Sequence, residues 1–382
     1  MKVGIVVPFS WSFWGGVVDH ADHQARTLRD LGVDARILVG NDPPGRLTRA
    51  LHPRLGRHDD LPDYVIPMGR TVIIPANASL ANIVLSPRSM GRMRRVLKEE
   101  KFDLIHVHEP FAPILSAYAL ATAECPVVVT CHASGGRWFP IGTLMWGRLL
   151  RTAIDHRIAV SEQARLAAAP NVGGPFDVIP NGVVLGSSPS FGERDHAVLF
   201  VGRHEPRKGL QVLLKAWPQI VERTGARLRI VGADPLAVRF LIRRLGISED
   251  TIDLFGVVPT EELETQLRSA KLLAAPSIGG ESFGLVLAQA FAAGTPAVAS
   301  EIAGYVEVAD ETTGALVPPG DVDALAGAIV GMLGDEVRRQ ELGRTARARV
   351  EERYDWRTIG CRLLGIYELL TGIRVSAPTR AT

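Results

Sequence analysis

LLAAPSIGGESFGLVLAQAFAAGTPAVAS, residues 272–300, reads in turn as strand, glycine loop, helix and strand. The flanking LLAAPS and PAVAS are short apolar runs bounded by turn residues. Between them stand a glycine pair, Gly279 and Gly280, a lone carboxylate, Glu281, and a helical run whose only polar interior side chain is Gln289. Alternation of that kind marks the βαβ unit of a parallel sheet. Strand candidates repeat it along the chain: KVGIVVPF (2–9), ARILV (35–39), FDLIHVH (102–108), PVVVTCH (126–132), RIAVS (157–161) and FDVIP (176–180). The pattern then restarts with AVLFVGR (197–203), RLRIVGA (227–233) and IDLFGVV (252–258). The expectation is an α/β protein of two doubly wound domains, residues 1–185 and 195–355. NGVVLGSSPSFGERDH (181–196), polar and without apolar period, is expected to be the linker. Near the end, Trp356, Ile359, Leu363, Ile366 and Leu370 fall at steps of three and four. They predict an amphipathic helix over 356–372 that needs a surface, on either domain, with packing back on the first as one option.

A length of 382 residues suits two domains of roughly 100–200 residues each. A net charge of +2 argues against a surface built for nucleic acid, so no nucleic-acid partner is expected. Three cysteines without CxxC spacing offer neither a disulfide framework nor a zinc site. The N-terminal MKVGIVVPF runs straight into a strand, and no stretch is apolar for long enough to span a bilayer. The expected location is cytoplasmic, at most peripheral at the inner face of the plasma membrane. His106 and His108 share one strand face, but no second pair with ligand spacing joins them, so no metal is expected. Neither G-x-G-x-x-G nor G-x-x-x-x-G-K-[ST] occurs, which removes the main support for a nicotinamide enzyme or a P-loop nucleotidase.

Each half instead has a glycine pair after a strand, Gly15 and Gly16 and then Gly279 and Gly280. Such pairs serve tight turns, and they also let backbone approach an anion at a helix start. Ligands of open α/β sheets lie beyond the carboxyl ends of the strands, so both loops would face one cleft. Glu281 offsets a helix dipole or holds a ligand. Gln289, flanked by Ala288, Ala290, Phe291, Ala292 and Ala293, is either on a solvent face or polar and in want of a partner. From Glu281 the distance is about two helical turns. GRHEPRKGL (202–210) sets Arg203, Arg207 and Lys208 on a short loop, either solvated or ready to clamp a diphosphate. His132 ends a strand and precedes Ala133, Ser134, Gly135 and Gly136.

These pieces, with PFSWSFWGGVVDHADHQARTLRDLG, FDLIHVHEP, VVVTCHAS, VIPNGV, FGVVP and APSIGGESFGLVLAQAFAAGTPAVAS, lie in one order over nearly the whole chain. In that order they resemble the retaining glycosyltransferases of family 4, and among them the phosphatidylinositol mannosyltransferases. The resemblance implies the GT-B fold, two Rossmann-like doubly wound domains facing a central cleft, and a hexosyltransferase using a nucleotide sugar, GDP-mannose, with no metal and no other cofactor. It implies that Gly16 admits the donor diphosphate and the acceptor, with Gly15 beside it, and that His132 contacts the donor sugar near the reacting hydroxyl. Arg203 and Lys208 would neutralise the leaving diphosphate, which the backbone of Ser282, Phe283 and Gly284 would cradle. Gly256 and Val257 of FGVVP would line the donor site, and Glu281 would hold hexose hydroxyls. Gln289 departs from the family pattern: a second glutamate there accepts the ribose hydroxyls, and an amide has one acceptor oxygen and no charge.

For the acceptor, the inositol-lipid relatives carry Tyr-Asn-Gly-Ser followed by arginines. This chain has Ala76, Asn77, Ala78 and Ser79, then Asn82 where an arginine is expected. Asn77 and Ser79 would meet polyol hydroxyls. SPRSMGRMRRVLKEE (86–100) predicts a helix with Arg88, Arg92 and Arg95 on one face and Met90, Met93 and Leu97 on another, suited to an anionic membrane or to plain solvent. Phe9, Trp11, Phe13 and Trp14 would touch membrane, line an acceptor pocket, or pack as a loop core. A soluble polyol or natural-product acceptor, and a nucleotide-sugar-binding protein without catalysis, are the competing readings.

Overall fold

The computed structural model describes residues 1–13, 15–52, 60–76, 79–110, 112–132, 147, 151–189 and 191–376. They form two compact units, Met1–Gly182 with Trp356–Thr382, and Val183–Asp355.

The first unit contains β1 (Lys2–Ser10), β2 (Asp34–Gly40), β3 (Val65–Gly69), β4 (Val72–Ala76), β5 (Ser79–Ile83), β6 (Leu104–His108), β7 (Val127–Cys131), β8 (His156–Ala159) and β9 (Asp177–Val178). Seven of these lie in the order β3-β2-β1-β6-β7-β8-β9, all parallel, while β4 and β5 form an antiparallel hairpin that touches β1 at Phe9. Val3, Ile5, Val6 and Val7 of β1 are fully buried, as expected of a strand covered on both faces, and that is why it reads as an unbroken apolar run. Helix Gly16–Asp30 buries Val18, Ala21, Ala25 and Leu28 against one face.

The last helix, Trp356–Thr371, also belongs to this unit and buries Trp356, Ile359, Leu363 and Tyr367 in the same core as Val3, Ile5 and Ile37. At about 2 kcal/mol for each large apolar side chain buried, that stripe holds the helix firmly. It runs through Gly360 and Tyr367, with Ile366 and Leu370 at its edge. Gly360 faces Thr27, where a Cβ would come within 2.5 Å of the threonine methyl, so the two helices meet at close range.

The second unit is a six-stranded parallel sheet in the order β12-β11-β10-β13-β14-β15. Its strands are β10 (Asp195–Val201), β11 (Arg227–Val231), β12 (Ile252–Gly256), β13 (Ala270–Ala275), β14 (Ala297–Ser300) and β15 (Gly314–Val317). Both sheets are wound outward in two directions from a central strand, β1 or β10, which makes the β1/β6 and β10/β13 gaps the switch points where such sheets bind ligands.

Two expectations change here. Residues 181–196 are no free linker: the Val183 N–H donates to Tyr354 O at 2.7 Å, Val183 is buried, and the Arg194 guanidinium donates to the carbonyls of Ala293 and Gly294. Val183, Leu185 and Phe191 are apolar residues without period, so they gave no strand or helix signal although they pack on the second unit. In the basic helix, which spans Arg88–Glu100, Arg88, Arg92 and Arg95 are exposed, but Met90 is exposed with them. The buried stripe is Ser89, Met93 and Val96.

Candidate active site

At the switch point of the second unit the loop after β10 meets the loop after β13. Gly202 and Arg203 leave β10, Pro206–Lys208 makes one 3-10 turn, and Gly209 takes φ +70°. A Cβ on Gly209 would collide with the carbonyl of Pro276, so only glycine lets the basic turn lie against the end of β13. The Ile278 N–H donates to Arg207 O at 2.8 Å and locks the loops together.

Three cations and two carboxylates gather there. Glu281 Oε1 accepts from Arg207 Nη1 at 2.6 Å and pairs with Lys208 Nζ at 2.8 Å. Glu205 lies 2.7 Å from Arg203 Nη2, and 2.9 Å from Arg207 Nη2 in a contact poorly aligned for a hydrogen bond. Counting charges, three positive and two negative, the cluster keeps +1. Arg207 also donates to Gly280 O at 3.0 Å, so it braces the loop, while half of the Arg203 side chain faces solvent.

The helix after this loop is Leu285–Ala292, and Gly284, at φ +78°, is its N-cap with no side-chain cap. Its first N–H groups have no partner within the helix, and with the dipole they form an anion site. Glu281 therefore does not cap the helix. Nor is it joined to Gln289 by two helical turns, because Glu281 to Gly284 is irregular and the helix covers only the second half of the interval. Gln289 is half-buried, Ser282 likewise, and Phe283 is buried edge-on to Tyr354. Tyr305 donates to or accepts from Ser277 Oγ at 2.8 Å, and burial, with Glu281 nearby, pushes its hydroxyl pKa up. Gly256 ends β12 and Val257 is 87% exposed beyond it.

In the first unit the two expected glycines have a different reason. A Cβ on Gly15 or Gly16 would meet nothing within 4 Å, and Gly15 has φ −138°, so neither packing nor backbone demands glycine. What the missing side chains leave is open backbone at the start of helix Gly16–Asp30. Gly279 and Gly280, at φ +151° and +72°, are by contrast required by the turn.

His132 follows β7 and is brought to His108, at the end of β6, and to His20, on helix Gly16–Asp30. His108 Nδ1 and His132 Nε2 are 2.8 Å apart, and His20 Nδ1 is 2.9 Å from Asn181 Oδ1. The His132 backbone N–H donates to Glu109 Oε1 at 3.0 Å. Burial lowers the pKa of His20 to about 4 and of His106 to about 3, and holds His108 and His132 well below the usual value, so all four rings are neutral at pH 7. Ligand nitrogens of His20, His108 and His132 lie within 4.8 Å of one another. His108 and His132 are hydrogen-bonded to each other, and His20 is paired with Asn181. Spacing in the sequence singled out His132 but not His20, which meets it edge-on from a helix, nor Asn181, which holds His20 from a loop.

Of the acceptor residues, Asn77 lies outside the described residues, and Ser79 contributes its backbone to β5 opposite Ala76. Asn82 Oδ1 is 2.9 Å from His52 Nδ1, and His52 Nε2 is 3.1 Å from Thr71 O. Phe13 stacks on His52 at 4.4 Å and Trp11 is buried in the core, while Trp14 is outside the described residues. Among the described residues no helix is long and apolar enough to cross a membrane.

A family model described as Glycosyltransferase Family 4 matches residues 14–186, and one described as Glycosyl transferases group 1 matches residues 195–335. The chain is 36% identical to a phosphatidyl-myo-inositol mannosyltransferase of Mycolicibacterium smegmatis, covering 97% of this chain and 95% of that one. It is 37% identical to the enzyme of that name from Mycobacterium leprae, covering 96% of each. Among solved structures, Anabaena HepE in complex with UDP has TM-score 0.72 at 22% identity, over 97% of this chain and 100% of that one. Sucrose-phosphate synthase from Thermosynechococcus elongatus also has TM-score 0.72 at 22% identity, over 97% and 99%. These likenesses bear out the expected fold class, GT-B with two Rossmann-like domains.

Proposed function

The chain belongs to glycosyltransferase family 4, and from that membership we propose that it moves mannose from GDP-mannose to a phosphatidylinositol-type lipid at a membrane surface, with retention and without a metal. The observation that carries the reading is the Arg203, Arg207, Lys208 and Glu281 cluster beside an uncapped helix start. A cluster with net charge +1, beside amides that have no partner within their helix, attracts a diphosphate. Arg203 and Lys208 would take its charge as it departs, and Arg207, braced by Gly280 and both carboxylates, would keep the loop in place. Glu281, held by Lys208 beside the same spot, would receive the hexose hydroxyls.

With no protein nucleophile assigned, retention follows from attack on the face the leaving group occupies. The bond from the anomeric carbon to the phosphate oxygen breaks, the bond to the acceptor oxygen forms, and the acceptor proton passes to the departing phosphate. Neutral His132 would orient the sugar. The protein's contribution is then placement and fixed dipoles. Mannose and the inositol lipid come from the relatives' names. The exposed Arg88, Arg92 and Arg95 fit an anionic surface.

One observation favours a second reading. Asn82 replaces an expected arginine and its carbonyl is engaged by His52, which withdraws one phosphate partner and suits a soluble polyol. Gln289, with a single acceptor oxygen for ribose, motivates a third, a protein that binds the donor without turning it over. Mass spectrometry after incubation with GDP-, UDP- or ADP-sugars, in EDTA, over phosphatidylinositol vesicles or soluble polyols separates them. Mannosylated lipid from GDP-mannose is the expected product. Transfer from another nucleotide, or only to a soluble alcohol, would replace the donor or the acceptor, and binding without turnover would leave the third reading.

A further inference from the structure

Parallel strands β6 and β7 set two imidazoles in one hydrogen bond. His108 is in register with Thr130, so His132 stands two positions further on and on the same face, and His108 Nδ1 meets His132 Nε2 at 2.8 Å. His108 is fully buried and held on its other side. Its ring lies flat against His106, with centroids 4.8 Å and planes 2° apart. His106 is fixed at both nitrogens, by Thr130 Oγ1 at 2.7 Å and by the Tyr367 hydroxyl at 2.5 Å, with Gln24 Nε2 at 3.0 Å. The stack holds the plane of the His108 ring.

We infer that His108 is a positioning residue which donates Nδ1–H to Nε2 of His132 and so fixes His132 as the tautomer with its proton on Nδ1, the nitrogen left for the sugar. One proton lies between two neutral rings, which allows two assignments. If His108 donates, its Nε2, buried and without a partner among the described residues, is a bare acceptor. If His132 donates, that same Nε2 becomes a buried N–H with nothing to receive it. Among buried backbone groups an orphaned N–H is rarer than an under-used acceptor, and the same preference selects the first assignment. Glu109 restrains the ring from the backbone side by accepting the His132 N–H. His132 then offers the substrate a donor and no lone pair, so it supports a hydroxyl oxygen and does not abstract a proton. The catalytic half of this inference rests on the proposed glycosyl transfer; the tautomer does not.

The test has a spectroscopic arm and a kinetic arm. In protein labelled with ¹⁵N-histidine, His132 is expected to show a protonated Nδ1 and a bare Nε2, and His108→Leu is expected to abolish that preference. A protonated Nε2 on His132 in the unaltered protein overturns the inference. In the kinetic arm, losing one oriented hydrogen bond of about 1.4–2.8 kcal/mol is a roughly ten- to hundredfold fall in kcat, expected for His108→Leu with donor KM nearly unchanged. His108→Asn, whose amide nitrogen takes the place of Nδ1, is expected to recover most of the loss, and His108→Gln, whose amide reaches the place of Nε2, is not. Equal activity in the Asn and Gln variants also overturns it, and that comparison holds even where His108→Leu fails to fold. If the spectrum is as expected and no sugar nucleotide is turned over, the transfer reading has failed and the tautomer assignment stands.

Discussion

Acid should weaken the first unit well before the second. His20 and His106 have folded pKa values of about 4 and about 3, set by burial, against about 6.5 in an unfolded chain. Between those values the unfolded chain binds more protons, so stability is full above pH 6.5 and falls as pH drops towards the folded pKa. From pH 7 to pH 5 each ring costs about 2 kcal/mol, and the pair about 4 kcal/mol, of a total near 5–15 kcal/mol. His108 and His132 shift the same way and add to the loss. The carboxylates held low by their hydrogen-bond partners, Asp34 by Arg36, Asp253 by Arg227 and Asp310 by Thr312 and Arg349, lose their contribution only below about pH 4, outside this window. The second unit carries His196 and His204, both exposed, and serves as the internal reference. Urea unfolding followed by hydrogen-exchange mass spectrometry, read separately on peptides of each unit, measures the difference. The first unit should lose about 4 kcal/mol or more between pH 7 and pH 5, and His106→Gln should return about 2 kcal/mol of it. Equal loss in both units, or none in the first, would refute the neutral-histidine account.

Lys208→Ala or Arg203→Ala should lower transfer by roughly ten- to a hundredfold, as expected for a charge-assisted hydrogen bond of about 1.5–3 kcal/mol, with the melting temperature within a degree or two; an unchanged rate would mean the diphosphate sits elsewhere. Gln289→Glu should tighten donor binding by about tenfold, one hydrogen bond's worth, measured by calorimetry; weaker binding would show that the amide is the better partner here. Replacing Arg88, Arg92 and Arg95 together by Ser should weaken binding to anionic vesicles by more than about a hundredfold, at about 1 kcal/mol per arginine, and unaltered flotation would remove that helix from the membrane. Gly209→Ala should destabilise the second unit by more than the roughly 1–2 kcal/mol of a left-handed alanine, because its methyl also meets Pro276 O; a normal thermal transition would contradict the packing.

The fold was legible wherever burial is uniform. β1, β2, β6, β7, β10 and β13 are buried over most of their length and so appear as apolar runs, while β11 shows through Leu228, Ile230 and Val231 although Arg227 is exposed. Four strands went unread: Pro67 interrupts β3, Pro75 sits in β4, Asn82 lies in β5, and β15 is only the four residues GALV. The amphipathic period of the last helix was visible, but its contact with the first unit depends on Gly360 and Tyr367, which carry little periodic signal. Site residues behaved likewise. Arg203, Lys208 and Glu281 sit on loops that end neighbouring strands, so the order of the motifs already brings them together. His20 and His108 reach His132 from separate places in the chain and Asn181 reaches His20, and no spacing announces that. Glu205, beside Pro206, carries no signal of its own in the sequence, and its distances reveal that it pairs with Arg203 and Arg207.

The chain leaves the first unit at Gly182 and re-enters it at Trp356, so one body is nested inside the sequence of the other. During vectorial synthesis the inner body is delivered whole while the outer one still lacks its closing piece. Tyr367, whose hydroxyl pairs with His106, lies in that closing piece. A nascent chain stopped between residues 318 and 355 would hold all six strands of the inner sheet and yet leave His106 without the Tyr367 hydroxyl.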